Sequence, residues 1–305
     1  EAFQARFDAR TQEREVQVGM IRLPVPDYAL SAFREALLNA LFHRDYRRLG
    51  TVHLQWHPDR LELTSPGGFP EGVTPTNLLV HEPLPRNARL YAAAKRIGLV
   101  EQTGRGVDKV YLGQLRYGRP IPDYSRSDAT GVRLTLRGGA ESLEFAAFVF
   151  ERERRLGPMT VDLMIVLNQL FHERRMTTEQ AARDIQRSQQ DARALLERLV
   201  EEGLVEARGE NRGRVYHLAA RFYDAVGQPE AYVHVHGLEP LRQEALVEEF
   251  VRAHGSVRRS VVVQLCGLTG RQATLLLARM VKKNKLLPHG ERKTRFYTNP
   301  GDVTR

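Results

Sequence analysis

The sequence is short of several things, and each shortage closes a class of explanation. A single cysteine, Cys266, excludes an internal disulfide framework and any cysteine-rich zinc module. That usage fits a reducing cytoplasm. No uninterrupted apolar run approaches the roughly 18 residues of a membrane span. Nor does a basic start lead into the apolar centre of a secretory signal, so no membrane partner is expected. No glycine–lysine pair occurs anywhere in the 305 residues. The phosphate-binding loop G-x-x-x-x-G-K-[ST] is therefore missing, and with it a P-loop helicase motor. His43, His53, His57 and His81 fall in no recognised metal spacing.

What is present describes a folded, charged chain. Hydrophobic residues make up 42% and charged residues 27%, the balance of a globular protein rather than a disordered one. The length suits two or three domains. A formal charge of +9 favours a polyanionic partner, and double-stranded DNA is the one expected. Between Ala231 and Arg305 stand 13 Lys/Arg against 6 Asp/Glu, so most of the surplus lies in the last quarter.

Composition breaks near Arg137-Gly138-Gly139 and again near Gly227-Gln228-Pro229. The expected architecture is α+β: an N-terminal segment 1–25 acting as linker from, or remnant of, an upstream domain, a mixed domain over 26–138, and two helical modules over 143–227 and 228–305.

Each helical module reads as three helices and a hairpin, the layout of a winged helix-turn-helix. In the first, Leu163, Val166, Leu167, Leu170 and Phe171 follow the one-sided helical spacing. Thr177 and Gln180 form a capping-box pattern before a short helix that stops near Ile185. A third helix starts near Ser188, buries Ala192, Leu195, Leu196 and Leu199, and ends at Gly203, suited to a left-handed cap. Strands over Leu204–Arg208 and Arg214–Leu218 follow. The second module repeats this, with Leu246, Val247 and Phe250 on its first helix and a second helix from Val257 to Leu265. Its third is capped by Thr269, with Ala273, Leu276, Leu277, Met280 and Val281 inward.

A third helix of this kind can enter the major groove. Arg187, Gln189, Gln190 and Arg193 would then meet base edges, Arg and Gln being the types matched to guanine and adenine. Arg208, Arg212 and Arg214 on the hairpin would hold phosphate, which positions without specifying sequence. In the second module the same roles fall to Arg258, Arg259, Arg271, Gln272, Arg279, Lys282, Lys283, Lys285, Arg292, Lys293 and Arg295.

In the mixed domain a helix begins after Pro26-Asp27, with Leu30, Phe33, Leu37 and Leu41 along one side and Glu35 and Asn39 together on roughly the opposite one. Val52, Leu54 and Trp56 alternate with His53, Gln55 and His57 in a strand, and Leu61 and Leu63 continue the inward face of the next. Two glycine-rich stretches follow, Ser65-Pro66-Gly67-Gly68 and Gly104-Arg105-Gly106.

The text Arg34-Glu35-Ala36-Leu37-Leu38-Asn39-Ala40 with His43-Arg44-Asp45-Tyr46, then Ser65-Pro66-Gly67-Gly68, Arg86-Asn87 and Gly104-Arg105-Gly106, resembles the RecG-like C-terminal ATP-binding family. That family is a branch of the GHKL fold shared with gyrase B, MutL and histidine kinases. The resemblance covers roughly Pro26 to Leu136. It implies a GHKL-like α/β sandwich, ATP and magnesium as cofactors, and an upstream AlbA-type DNA-binding domain that this chain, opening on Glu1, does not carry. By resemblance, Glu35 is the general base that takes the proton from attacking water. Asn39 is the magnesium ligand, and Gly67, Gly68, Gly104, Arg105 and Gly106 bring backbone to the nucleotide. Ser65 stands where the pattern has the aspartate that reads the adenine amino group. The function expected is a DNA-binding transcriptional regulator, dimerising as a homodimer or sensing a nucleotide through the GHKL-like domain. The alternatives are a GHKL-type ATPase in DNA repair or defence, and a protein-interaction scaffold.

Overall fold

The computed structural model describes residues 2–100, 106–139, 142–209, 214–226, 243–266, 268, 270–290 and 295–300. It is a mixed α+β chain that divides into two compact units, the first running to residue 227 and the second from residue 228.

The first unit is built on an antiparallel sheet of β3 (His53–Trp56), β4 (Arg60–Pro66) and β5 (Gly131–Arg137), with β4 central. Pairing Leu54 with Leu63, Trp56 with Leu61, Leu61 with Leu136 and Leu63 with Leu134 collects the apolar side chains on one face, as strand alternation demands. Helices α2 (Leu30–Phe42) and α4 (Gly106–Leu115) share a core with that face through Phe33, Ala36, Ala40 and Val110. The buried side of α2 is only partly the expected one: Phe33 is buried and Leu37 packs against the core, but small residues supply the rest. Ala32, Phe33, Ala36 and Ala40 are buried, whereas Leu30 is 41% exposed. Small residues win there because α4 comes very close: a Cβ on Gly113 would lie 2.5 Å from the Cβ of Ala32.

The residues before Pro26, expected as a linker, fold onto this core. They form α1 (Ala2–Asp8) and an antiparallel hairpin of β1 (Glu13–Val18) and β2 (Ile21–Pro26). Phe7 is buried with its ring 4.6 Å from that of Phe33 and 5.9 Å from that of Trp56. Buried Arg119 holds the hairpin's end, donating to the Pro26 and Gly139 carbonyls. Helix α3 (Ala88–Arg96) lies against α2, and α5 (Leu143–Leu156), capped by Ser142, packs on β1 and β2.

The same unit continues through α6 (Val161–Glu173), β6 (Met176–Thr177), α7 (Thr178–Asp184), α8 (Gln189–Glu201), β7 (Val205–Arg208), β8 (Val215–Leu218) and α9 (Ala220–Ala225). The strands form a sheet in the order β6-β8-β7. The expected capping box is made: the Gln180 N–H donates to Thr177 Oγ1 at 3.2 Å and the Thr177 N–H to Gln180 Oε1 at 2.8 Å. Ser188 caps α8, and Gly203 adopts φ 71°. In α6 the stripe Leu163, Val166, Leu167, Leu170 and Phe171 is buried, and so are Met164, Ile165 and Asn168. The helix is covered nearly all round because it packs against α4 as well as against α7 and β8.

In the second unit residues 243–254 form α10, followed by β9 (Val257–Arg258), α11 (Arg259–Cys266), α12 (Gly270–Lys282), β10 (Leu287–His289) and β11 (Phe296–Thr298). The sheet order is β10-β11-β9. Val247, Val251, Val262, Ala273, Leu276, Leu277 and Met280 make the core. Leu246, expected inside, is 38% exposed. The helix expected from Val257 starts two residues later, because Val257 and Arg258 pair with Tyr297 and Phe296. The proposed cap Thr269 lies outside the described residues. Among the described residues no single helix is long and apolar enough to cross a membrane.

Replacing Gly113 by valine should force α2 and α4 apart and destabilise the first unit by about 2 kcal/mol, the scale of overpacking a tight contact. Denaturant unfolding against the wild type checks this; an unchanged midpoint would show that the crossing tolerates a side chain.

Candidate functional site

Helix α2 places Glu35 and Asn39 one turn apart, facing the first turn of α4. Together with Ser65 from β4 and Gly106 they line a cavity of about 1120 Å³, a size that suits a small-molecule ligand. Glu35 is only 8% exposed, and Lys109 Nζ lies 3.8 Å from its Oε1. A Cβ on Gly106 would fall 2.8 Å from Glu35 Oε2 and 3.8 Å from Asn39 Nδ2. A side chain there would press on the end of the Glu35 side chain, while the Asn39 amide would stay at ordinary contact distance. Ser65 is buried and donates its hydroxyl hydrogen to the Ala40 carbonyl at 2.7 Å. Its donor is spent, so what it can offer a ligand is an oxygen lone pair. His43 also lines the cavity, and burial, with Arg86 second, holds its pKa below the ordinary value, favouring a neutral ring.

Other residues of the same motif set do structural work instead. Gly67, at φ 91°, packs beside Arg86 and Asp45. Arg86 donates to the Gly68 carbonyl at 2.7 Å, and Asn87 Nδ2 donates to the Phe42 and Arg44 carbonyls, each at 2.8 Å. These bonds tie the end of α2 to the turn after β4. Neither Gly67 nor Gly68 lines the cavity. Gly104 and Arg105 lie outside the described residues.

The far wall comes from a part of the chain that sequence spacing did not associate with this site. Asp162, Arg187, Asp191, Leu195 and Arg198 line the same cavity. Arg187, expected in a groove of DNA, pairs instead with Asp162 at 2.7 Å. The turn before α8 is pinned from the other side: Gln186, at φ 57°, donates to the Pro75 carbonyl at 3.0 Å and accepts from the Leu79 N–H at 2.8 Å. Gln189, Gln190 and Arg193 remain exposed. Arg193 and Arg214 flank Glu197 at 3.8 and 2.8 Å, and Arg208 pairs with Glu206 at 3.6 Å. Arg212 lies outside the described residues.

In the second unit the expected phosphate contacts split into two groups. Arg279, Lys283 and Lys285 surround Glu244, whose side chain is 1% exposed, at 2.9, 2.9 and 3.0 Å. Lys285 also reaches Glu248 at 2.8 Å. Burial by itself would push the Glu244 carboxyl up; the hydrogen bonds from Lys283 and Lys285 outweigh it and hold the pKa below the usual value. Glu244 carries no motif, and nothing in the sequence marked it. By contrast Arg258, Arg259, Arg271, Lys282 and Arg295 are exposed and make no ion pair with any described residue. Gln272 is exposed beside Arg271, and Arg292 and Lys293 fall outside the described residues. Among the described residues no three His, Cys, Asp or Glu side chains gather as a metal site.

Residues 146–305 match the model of a family described as DNA glycosylase AlkZ-like. Residues 50–136 match one described as putative ATP-dependent DNA helicase recG C-terminal, which agrees with the resemblance read from the motifs. No curated protein matches significantly. Among solved structures the chain is similar to the DIP2311 protein from Corynebacterium diphtheriae, at 24% identity and a TM-score of 0.56. The match covers 90% of this chain and 50% of that one, so the chain spans half that protein's length; at this identity the likeness speaks for the fold alone.

The transcriptional-regulator expectation is overturned by the AlkZ-like match, which covers both helical modules that had suggested it. The ATPase and scaffold alternatives fit that match no better. Helix–hairpin modules with exposed arginines serve any protein that grips DNA, so their presence does not select gene regulation. The homodimer expectation draws no support from these comparisons.

Removing the Glu244 carboxylate in Glu244→Ala should destabilise the second unit by about 2 kcal/mol. That is below the range for a fully buried pair, because its three cations are half-exposed and can rehydrate. Since the native pKa is depressed, this stabilisation is present above the unfolded carboxylate value and is lost as pH falls through the native one. Unfolding measured from pH 7 down to pH 3 should show a wild-type acid loss that is smaller in the variant; equal losses would remove Glu244 from the account.

Proposed function

Because the chain belongs to the DNA glycosylase AlkZ-like family, we propose that it acts in DNA repair, gripping duplex DNA through its second unit. The observation that carries this reading is the set of exposed cations Arg258, Arg259, Arg271, Lys282 and Arg295, without ion-pair partners among the described residues. In the first unit Arg187, Arg193, Arg208 and Arg214 each have a carboxylate within ion-pair distance. Each helix–strand–helix–helix–hairpin run is read as a winged helix. In the second, α12 is the helix suited to a major groove, with Arg271 and Gln272 at its leading end. Such contacts exchange counterions for phosphates, so the reading requires steep salt dependence.

The cavity of the first unit fits an adenine nucleotide. Its polar end carries Glu35, Asn39 and the glycine-limited start of α4; its apolar body is lined by Leu63, Val132 and Leu134. Asn39 would hold magnesium through its amide oxygen, and Ser65 would accept from the adenine amino group through its free lone pair. Bound magnesium supplies charge neutralisation at the phosphates. Glu35 stands where a carboxylate can take a proton from water.

Two measurements test the reading. Anisotropy of the full chain with duplexes should show tighter binding to one carrying a damaged base than to its undamaged twin. Arg259→Glu with Arg271→Glu should weaken binding about tenfold or more at low salt. Alkali cleavage of the same duplex detects base release, and equal affinity for both duplexes without release would sink the repair reading. Calorimetry with ATP and magnesium should give saturable binding that Asn39→Ala abolishes; no heat at millimolar nucleotide would leave the cavity to another ligand.

A further inference from the structure

A second cavity, of about 680 Å³, opens on the other side of α2, where α1 meets the edge of β3. Its lining is unusual in charge. Arg6, Arg10 and Arg44 contribute to it, and none of its lining side chains is Asp or Glu. None of the three arginines pairs with a described carboxylate. Arg44 is spent on carbonyls, donating to those of Asp45, Arg48 and Gly50. Arg6 and Arg10 are exposed on α1 and just after it.

The cavity is also aromatic. Trp56 is half-buried at its base, its ring held by Phe7 at 5.9 Å and Tyr28 at 5.3 Å. The Arg10 guanidinium lies 6.0 Å from the Trp56 ring centre, and that of Arg44 4.6 Å from the Tyr46 ring centre. Leu37, which also packs against the main core, and Leu41 complete its apolar wall.

Uncompensated arginines around an aromatic floor are the combination that binds a base by its face and a phosphate by its charge. We propose that this cavity is a site for a nucleotide unit, stacked on Trp56 with its phosphate between Arg6 and Arg10. The ligand is a single-stranded stretch of DNA or a free nucleotide; a base inside a duplex is stacked on both faces and has none to offer. The site is separate from the cavity holding Glu35 and uses no residue of the second unit, so it stands or falls independently of the repair reading.

Trp56 is the chain's single tryptophan, so its emission reports this site and no other. The experiment titrates the full-length chain with a short oligothymidylate, with thymidine monophosphate, with a blunt duplex and with inorganic phosphate. Trp56 fluorescence is followed alongside anisotropy of the labelled strand. Saturable quenching by oligothymidylate, weakened about tenfold or more by Arg6→Glu or Arg10→Glu, is the expected result. Equal quenching by the monophosphate assigns the site to a free nucleotide; quenching only by the strand assigns it to single-stranded DNA. Both reversals are on exposed residues, and the wild-type titration is informative even if a variant folds poorly. Unchanged Trp56 emission at saturating strand, quenching insensitive to both reversals, or equal quenching by duplex would overturn the proposal.

Discussion

Helix α2 can carry Glu35 and Asn39 to the mouth of α4 only because the two helices cross at the distance that Gly113 and Ala32 allow. Much else follows from that crossing. It lets both helices lie on one face of the three-stranded sheet, where Phe33, Ala36 and Val110 share a core with Leu61, Leu63 and Leu134. It brings the start of α4 against the Glu35 carboxylate, which a side chain at Gly106 would have to displace. On the other side of α2, Leu37, which also packs against the core, and Leu41 line the arginine-lined cavity. One close contact between small residues thus shapes the cavity that holds Glu35, since close-packed interiors transmit a change of spacing rather than absorb it.

How much of this was legible in sequence depended on the range of the interaction concerned. The capping box at Thr177, the start of α8 near Ser188 and the buried stripe of α6 are local patterns, and each is found where the spacing places it. The alternation through Leu54, Trp56, Leu61 and Leu63 was likewise readable. The convergence of Glu35, Asn39, Ser65 and Gly106 on one cavity followed from an ordered motif set. What escaped was set by partners distant in sequence. The buried face of α2 depends on α4, about 70 residues away by chain numbering. The turn before α8, whose residues line the cavity wall, is tied down by Gln186 donating to the Pro75 carbonyl and accepting from the Leu79 N–H. No periodicity in either segment encodes that meeting. Residues 2–26 fold through one buried aromatic, Phe7, whose partners Phe33 and Trp56 are supplied by α2 and β3.

Net charge proved a poorer guide than charge pairing. A surplus of +9 says that cations outnumber anions, not which of them are available to a partner. Glu244 settles this for one cluster. Once buried, its carboxylate needs charge-assisted donors to offset the loss of water, and Arg279, Lys283 and Lys285 supply them. Those three then hold α12 and the segment after it to α10, and a phosphate would have to compete with a carboxylate already in place. The same competition quiets Arg187, held by Asp162, and Arg214, held by Glu197. Counterion release rewards contact with a cation that has little to lose. Of the described cations expected to meet DNA, those without an ion-pair partner among the described residues are Arg258, Arg259, Arg271, Lys282 and Arg295, and Arg6 and Arg10 of the first unit likewise face no described carboxylate. A polyanion has most to gain at these positions, because there the protein has not already neutralised itself.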